Sequence, residues 1–358
     1  MGLDRQRKNP FETKIVNQLK PPILLFPTHY LGNFVLGLPW VLEVLKHYPD
    51  SLVVLDAQFE GMAKLVLPAN TRLLLYPRKQ IARNQKLSTR LRHYWRFLRA
   101  LRSSGADTVL DLEGERFTGV LARLSGCKRR VGPTGKRAAR FYTDILDLDY
   151  ENHRFNAFGE IVADYVTGDI PSSHVPYTID EASVKSVQEK LGTGNREKPL
   201  VAIHPGASVP YKLWSQDYFV ELVSELRDRG LEVVWVGAGE MDSRIIEAIE
   251  EKLESQALNL CNKLSFVELI SLYRQCRFFV GSDSGPMHLA ASTGLPVFAL
   301  FGPSKEAIWA PLGDNSTMLR GTDPCGSNCD AFECDYAYRC LQSLRPSAII
   351  AAVQEKAL

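Results

Sequence analysis

The sequence lacks several things, and each absence excludes a class of protein. No apolar stretch approaches the roughly 20 residues that cross a bilayer as a helix. The opening MGLDRQRKNPFETK has no apolar core of the kind a secretory signal carries. Gln6 stands where N-myristoylation needs Ser or Thr. The chain is therefore expected in the cytoplasm or peripheral to a membrane. It has no short tandem repeat and no low-complexity tract, which excludes solenoids and disordered linkers. Cysteine is sparse, at seven in 358 residues, and an odd count excludes a fully paired disulfide framework. Acidic residues are missing altogether from 78–102, where nine Lys and Arg stand.

What is present is ordinary for a globular chain, at 45% hydrophobic and 23% charged. The length suits two domains. The net charge of +2 conceals an asymmetry. Residues 1–175 hold 26 Lys and Arg against 17 Asp and Glu, a balance of +9, and the rest hold 17 against 24, or −7. A basic half suggests an anionic partner.

Short apolar runs alternate with helical ones. ILLF (23–26) precedes a helix expected over Gly32 to His47, SLVVLD (51–56) and ADTVLDLEG (106–114) read as further strands, and a basic helix is expected over Leu87 to Leu101. The pattern restarts with LVAIHPGAS (200–208), a helix in SQDYFVELVSELRDRG (215–230), then LEVVWVGAG (231–239), CRFFVGSDSG (276–285) and LPVFALFGPS (295–304). Such alternation predicts parallel sheets covered by helices on both faces. Two doubly wound domains are expected, at 1–175 and 176–358, with a hinge region over 168–198 and the ligand site in the cleft between them.

Three segments share one device, a strand running through a glycine loop into a helix. They are FPTHYLGNFVLGLP (26–39), HPGASVPYKLWSQDYF (204–219) and VGSDSGPMHLAASTGLP (280–296). Such a turn aims backbone N–H groups and a helix dipole at an anion, most often phosphate. Ser282 and Ser284 can add hydroxyl donors, and Lys212 adds charge at the mouth of the loop around Gly206 and Ser208. His288, one turn into its helix, can donate to a phosphate oxygen. Asp283 either caps the helix, orients the loop or pairs with a base. The plainer alternatives are a helix cap at Asp283, a half-buried histidine at His288, and a surface lysine beside an aromatic anchor at Trp214.

Together these segments, with LDLEGERFTGVLARLSGCKRRVGP (110–133), resemble glycosyltransferase family 9, the heptosyltransferases that attach heptose from ADP-heptose to the lipopolysaccharide core. The resemblance runs from about Ile23 to Leu341. It implies a GT-B fold of two Rossmann-like domains facing across a cleft, with metal-independent, inverting chemistry and no cofactor. The N-terminal domain would bind the acceptor and the C-terminal domain the nucleotide-sugar. Lys212, Asp283, Ser284, Gly285 and His288, with Gly206 and Ser208, are the implied donor-binding residues. Gly32, Asn33 and Arg116 are the implied acceptor side.

One position departs from the family. The first loop usually reads Gly-Asp, the Asp being the expected base, and here it reads Gly32-Asn33. An amide is no general base at neutral pH. Glu113 and His29 are the foremost replacements, with Asp111 and Glu115 nearby. Otherwise catalysis rests on positioning, or the protein binds a nucleotide-sugar without turning it over. A related GT-B transferase with another donor, or with a protein or small-molecule acceptor, is the remaining alternative. The basic clusters, Arg78 to Arg102 and Lys128 to Arg140, carry no recognised nucleic-acid motif. They suit an anionic glycolipid acceptor at the inner face of the cytoplasmic membrane. Cys325, Cys329, Cys334 and Cys340 are spaced C-x3-C-x4-C-x5-C, without the paired C-x2-C of common zinc sites. No metal is expected there, a structural ion being the minority alternative.

Overall fold

A computed structural model describes residues 19–167, 170–192, 198–323, 332 and 334–357. The chain divides into two compact units, Met1–Ser172 and Ser173–Leu358. The first unit holds six strands: β1 (Ile23–Phe26), β2 (Leu52–Asp56), β3 (Arg72–Tyr76), β4 (Thr108–Asp111), β5 (Arg129–Pro133) and β6 (Asp144–Leu146). The second holds β7 (Leu200–His204), β8 (Glu232–Trp235), β9 (Leu258–Asn259), β10 (Cys276–Ser282), β11 (Val297–Phe301) and β12 (Ser316–Arg320). The sheets run β3-β2-β1-β4-β5-β6 and β12-β11-β10-β7-β8-β9. Every neighbouring pair is parallel. Numbered within its own unit, each sheet has the order 3-2-1-4-5-6 of a dinucleotide-binding domain.

The strands that read clearly from sequence are the central ones. β1 is buried along its whole length because helices cover both faces of the sheet. Side chains alternate across it. Ile23 and Leu25 face a core with Val54, Phe97, Leu98, Leu101, Val109 and Leu121. Phe26 points the other way, edge-on to Phe158 with centroids 5.3 Å apart and stacked on Phe34 at 6.3 Å. In the second unit Val201, Ile203, Val233, Trp235, Phe278 and Val280 pack with Phe219, Leu222 and Leu226 of the helix Gln216–Asp228. The helix Pro346–Lys356, not foreseen from sequence, closes this core with Ile349, Ile350 and Val353.

β3, β5, β6, β9 and β12 were not foreseen. Four of them are sheet edges. An edge strand is half solvated and needs no apolar run, and β12 reads Ser-Thr-Met-Leu-Arg accordingly. The expected hinge stretch contains the helix Glu181–Leu191, which docks within the second unit: Ser186 Oγ donates to Glu268 at 2.6 Å. Ser215 occupies the N-cap position of its helix, as expected, yet makes no side-chain capping bond.

Gly37 tests the packing of the first unit. It lies inside the helix Leu31–His47, where alanine is intrinsically preferred by about 1 kcal/mol. A Cβ there would collide with the Phe26 ring. Overpacking a core typically costs about 1–3 kcal/mol. Gly37→Ala should therefore lower the urea midpoint of unfolding despite the gain in propensity. A raised midpoint would show that the ring has room to move.

Candidate active site

Each sheet reverses its winding between its first and fourth strands, so loops part at β1/β4 and at β7/β10. The residues singled out from sequence fall at the carboxyl ends of these four strands.

At the β1/β4 point, Leu25 pairs with Asp111, and the Leu112 N–H donates to the Leu25 carbonyl at 3.1 Å. This brings the loop Pro27–Tyr30 beside Leu112 and Glu113. Asp111 is fully buried. Its Oδ1 accepts the N–H groups of Glu113 and Gly114, both at 3.1 Å, and its Oδ2 accepts the Tyr142 hydroxyl at 2.7 Å. Burial pushes its carboxyl up to about 6, and these bonds offset that only in part. Asp111 is thus the pin that shapes the loop.

Glu113 is 8% exposed, and its Oε1 has no hydrogen-bond partner. Desolvation pushes its carboxyl up to about 7, against smaller opposing contributions from Thr28 and Arg154. A carboxylate that exchanges its proton near neutrality suits general-base work. His29 is exposed, its ring 3.8 Å from that of Tyr30. Partial burial, then the Arg78 charge, hold its imidazole below the ordinary value. Arg78, counted in sequence only as part of a basic run, fixes the loop. It pairs with Asp56, donates to the Pro27 carbonyl at 2.7 Å and lies over the rings of Tyr76 and Phe117. Gly32 and Asn33 are half-buried in the first turn of the helix Leu31–His47, while Glu115 and Arg116 are exposed.

At the β7/β10 point, Lys212 Nζ donates to Asp283 Oδ2 at 2.6 Å. Asp283 caps nothing, because the N-cap of the helix Gly285–Ser292 is Ser284, without a side-chain bond. Of the readings open from sequence, pairing with a base is the one found. Ser282 is fully buried and Ser284 half-buried, so Ser284 offers the accessible hydroxyl. His288 is buried at 3% exposure, Gly285 is half-buried and Ser208 is exposed. Trp214 is an anchor, donating from Nε1 to the Leu344 carbonyl at 2.9 Å.

Sequence reasoning missed Asp242, in the helix Glu240–Glu250, and gave His204 no task. His204 Nε2 lies 3.1 Å from Asp242 Oδ2 and its Nδ1 lies 3.2 Å from Ser284 Oγ. Gly206 is glycine because a Cβ there would overlap the Asp242 carboxylate. The signal in the sequence was the coincidence of HPG with a carboxylate shortly after VGAG.

Cys325 and Cys329 lie outside the described residues. Cys334 Sγ accepts the Tyr338 N–H at 3.4 Å, and Cys340 is buried. An Asp-x-Asp sequence occurs once, at Asp147–Asp149, where the Asp149 carboxylate accepts the Glu151 N–H at 3.0 Å in a turn. No His, Cys, Asp or Glu cluster suited to a metal occurs among the described residues.

Known proteins share this fold. The glycosyl transferase family 9 protein of Veillonella parvula DSM 2008 matches with a TM-score of 0.81 at 22% identity, covering 94% of this chain and 97% of that one. Escherichia coli ADP-heptose LPS heptosyltransferase II matches at 0.75 and 19% identity, covering 94% and 98%. The fold is that of the GT-B glycosyltransferases. In sequence, the profile of glycosyltransferase family 9 (heptosyltransferase) matches residues 94–335. Lipopolysaccharide heptosyltransferase 3 of Escherichia coli is 24% identical over 303 residues, 82% of this chain and 86% of that protein. The chain belongs to glycosyltransferase family 9.

The environment of Glu113 predicts a pH-dependent stability. Its carboxyl ionises at lower pH in the unfolded chain than in the fold, so stability falls as pH rises from its ordinary value toward about 7. Glu113→Gln removes that loss. The variant should match the parent near pH 4 and exceed it by up to about 3 kcal/mol near pH 8, read from urea unfolding. Equal stability at both pH values would mean that Glu113 is solvated.

Proposed function

We propose that this glycosyltransferase moves heptose from ADP-heptose to a lipopolysaccharide inner-core acceptor, with inversion and without a metal. The observation that carries the proposal is Glu113, a buried carboxyl with one unengaged oxygen, in the loop after β4, the strand paired with the one that leads to Asn33. The same donor and lipid are in the name of the Escherichia coli heptosyltransferase II that the fold matches.

In the proposed reaction an acceptor hydroxyl attacks the anomeric carbon of the donor. The new carbon–oxygen bond forms as the bond to the diphosphate breaks, and Glu113 takes the hydroxyl proton. Asn33 serves as a hydrogen-bonding positioner near the acceptor, with Gly32 and Arg116. The charge left on ADP is met by Lys212, by the Ser284 hydroxyl and by the N-terminus of the helix Gly285–Ser292, with Gly206, Ser208 and His288 around it. Asp283 holds the ammonium in place.

Loss of the base gives the test. Glu113→Gln should lower kcat by roughly 10²–10⁴-fold while leaving ADP binding unchanged, in a radiolabelled transfer assay. A variant as fast as the parent would move the role to His29 or to positioning alone.

We also propose that the protein works at the inner face of the cytoplasmic membrane, through the helix Leu87–Arg102. Its buried face is Phe97, Leu98 and Leu101. Its outer face leaves Leu87 65%, Leu91 49% and Trp95 62% exposed, beside exposed Arg92, Arg96 and Arg99. Apolar groups with a tryptophan amid cationic side chains match an anionic lipid interface. No helix among the described residues is long and apolar enough to cross a membrane. The protein should co-sediment with phosphatidylglycerol vesicles and not with phosphatidylcholine ones. Replacing Leu91 and Trp95 together by Glu should weaken that binding several-fold, and unchanged binding would locate the contact elsewhere.

A further inference from the structure

The hydrogen bonds joining Asp242, His204 and Ser284 have no part in the transfer described above. The ring of His204 is buried at 3% exposure between the other two. Asp242 Oδ2 also accepts the Ala238 N–H at 2.8 Å. Burial raises the Asp242 carboxyl, but the bonds it accepts from His204 and from the Ala238 N–H, with the charge of the ring when it is protonated, hold the group below its ordinary value. An ionised carboxylate only accepts hydrogen bonds, so His204 Nε2 carries a hydrogen.

Two states remain for Nδ1. In the neutral ring Nδ1 is bare, and the Ser284 hydroxyl donates its single hydrogen to it. Ser284 then presents only lone pairs outward. In the imidazolium, Nδ1–H donates to Ser284 Oγ, and the hydroxyl hydrogen is released toward whatever lies above the turn. A diphosphate has acceptors only in this range of pH, so the second state is the one it can use.

We infer that His204 is a positioning residue that takes up a proton when a nucleoside diphosphate binds at Ser284, converting the serine from acceptor to donor. This rests on the donor site proposed above. The proton comes from solvent, and the Asp242 carboxylate stabilises the imidazolium. The helix that carries Asp242 also carries Glu240 and Arg244, paired with each other, Glu247, and Glu250, which accepts from the Trp235 indole; His288 and the Lys212–Asp283 pair stand on the neighbouring segments. That pair is already charge-matched and need not change state. Because the ligand-bound state holds the extra proton, affinity is highest at low pH and falls as pH rises.

The experiment is titration calorimetry of the full chain with ADP-ribose, a diphosphate diester without a group of its own titrating near neutrality. It is run in HEPES and in Tris, whose ionisation enthalpies differ. The parent should take up close to one proton per ligand, and its affinity should fall by up to about tenfold per pH unit above neutrality. Ser284→Ala should bind more weakly, with no proton uptake and a flat pH dependence. His204→Gln should do the same; if it fails to fold, Ser284→Ala alone decides. Binding without proton uptake in the parent, or uptake that persists in Ser284→Ala, overturns the inference and leaves the donor site intact. Absence of binding by the parent overturns the donor site and the inference together.

Discussion

Everything chemical in this protein depends on one constraint of parallel sheets. Where the winding reverses, successive loops leave in opposite directions and cannot cover the strand ends between them. The chain does this twice, at β1/β4 and at β7/β10. Both openings are lined by polar groups that the sheets hold largely out of water. The two units use that shared topology in opposite electrostatic ways. At β1/β4 the carboxyl of Asp111 pins the loop and that of Glu113 stays partly unsatisfied, so its proton is held near neutrality. At β7/β10 each buried carboxylate meets a nitrogen, Asp283 with Lys212 and Asp242 with His204. The first opening is suited to receive a proton and the second to receive an anion.

The fold was legible where burial on both faces forces apolar runs. β1, β2, β4, β7, β8, β10 and β11 announce themselves in this way. The edges β6, β9 and β12 do not, since water on one side removes the demand that produces the pattern, whereas β3, Arg-Leu-Leu-Leu-Tyr, carries an apolar run and was passed over all the same. The loop residues were legible for a different reason. Glycine, hydroxyl, lysine and histidine gathered after a strand have few structural explanations, and Lys212, Ser284 and Gly206 converge on one opening.

Environment was the part that sequence could not supply. Asp111 and Glu113 are two positions apart with like chemistry, and only the fold shows that one spends its oxygens on N–H groups of the loop and on the Tyr142 hydroxyl while the other does not. Asp242 was missed because its partner is 38 positions away in a strand, beyond any local pattern. Asn33 and Glu113 were both named from sequence, but that they follow the paired strands β1 and β4, and that the Glu113 carboxyl is buried there, is read only from the fold.

The central claim is that Glu113 has taken over the base's task that an amide at Asn33 cannot perform. The most direct measurement is the pH dependence of kcat at saturating ADP-heptose and a heptose-accepting lipopolysaccharide core, compared between the parent and Glu113→Gln. The account predicts a parent rate that climbs across neutrality as Glu113 loses its proton, with an inflection near 7, and a variant that is slow and lacks that limb. A variant that retains the parent's rate and profile would contradict it.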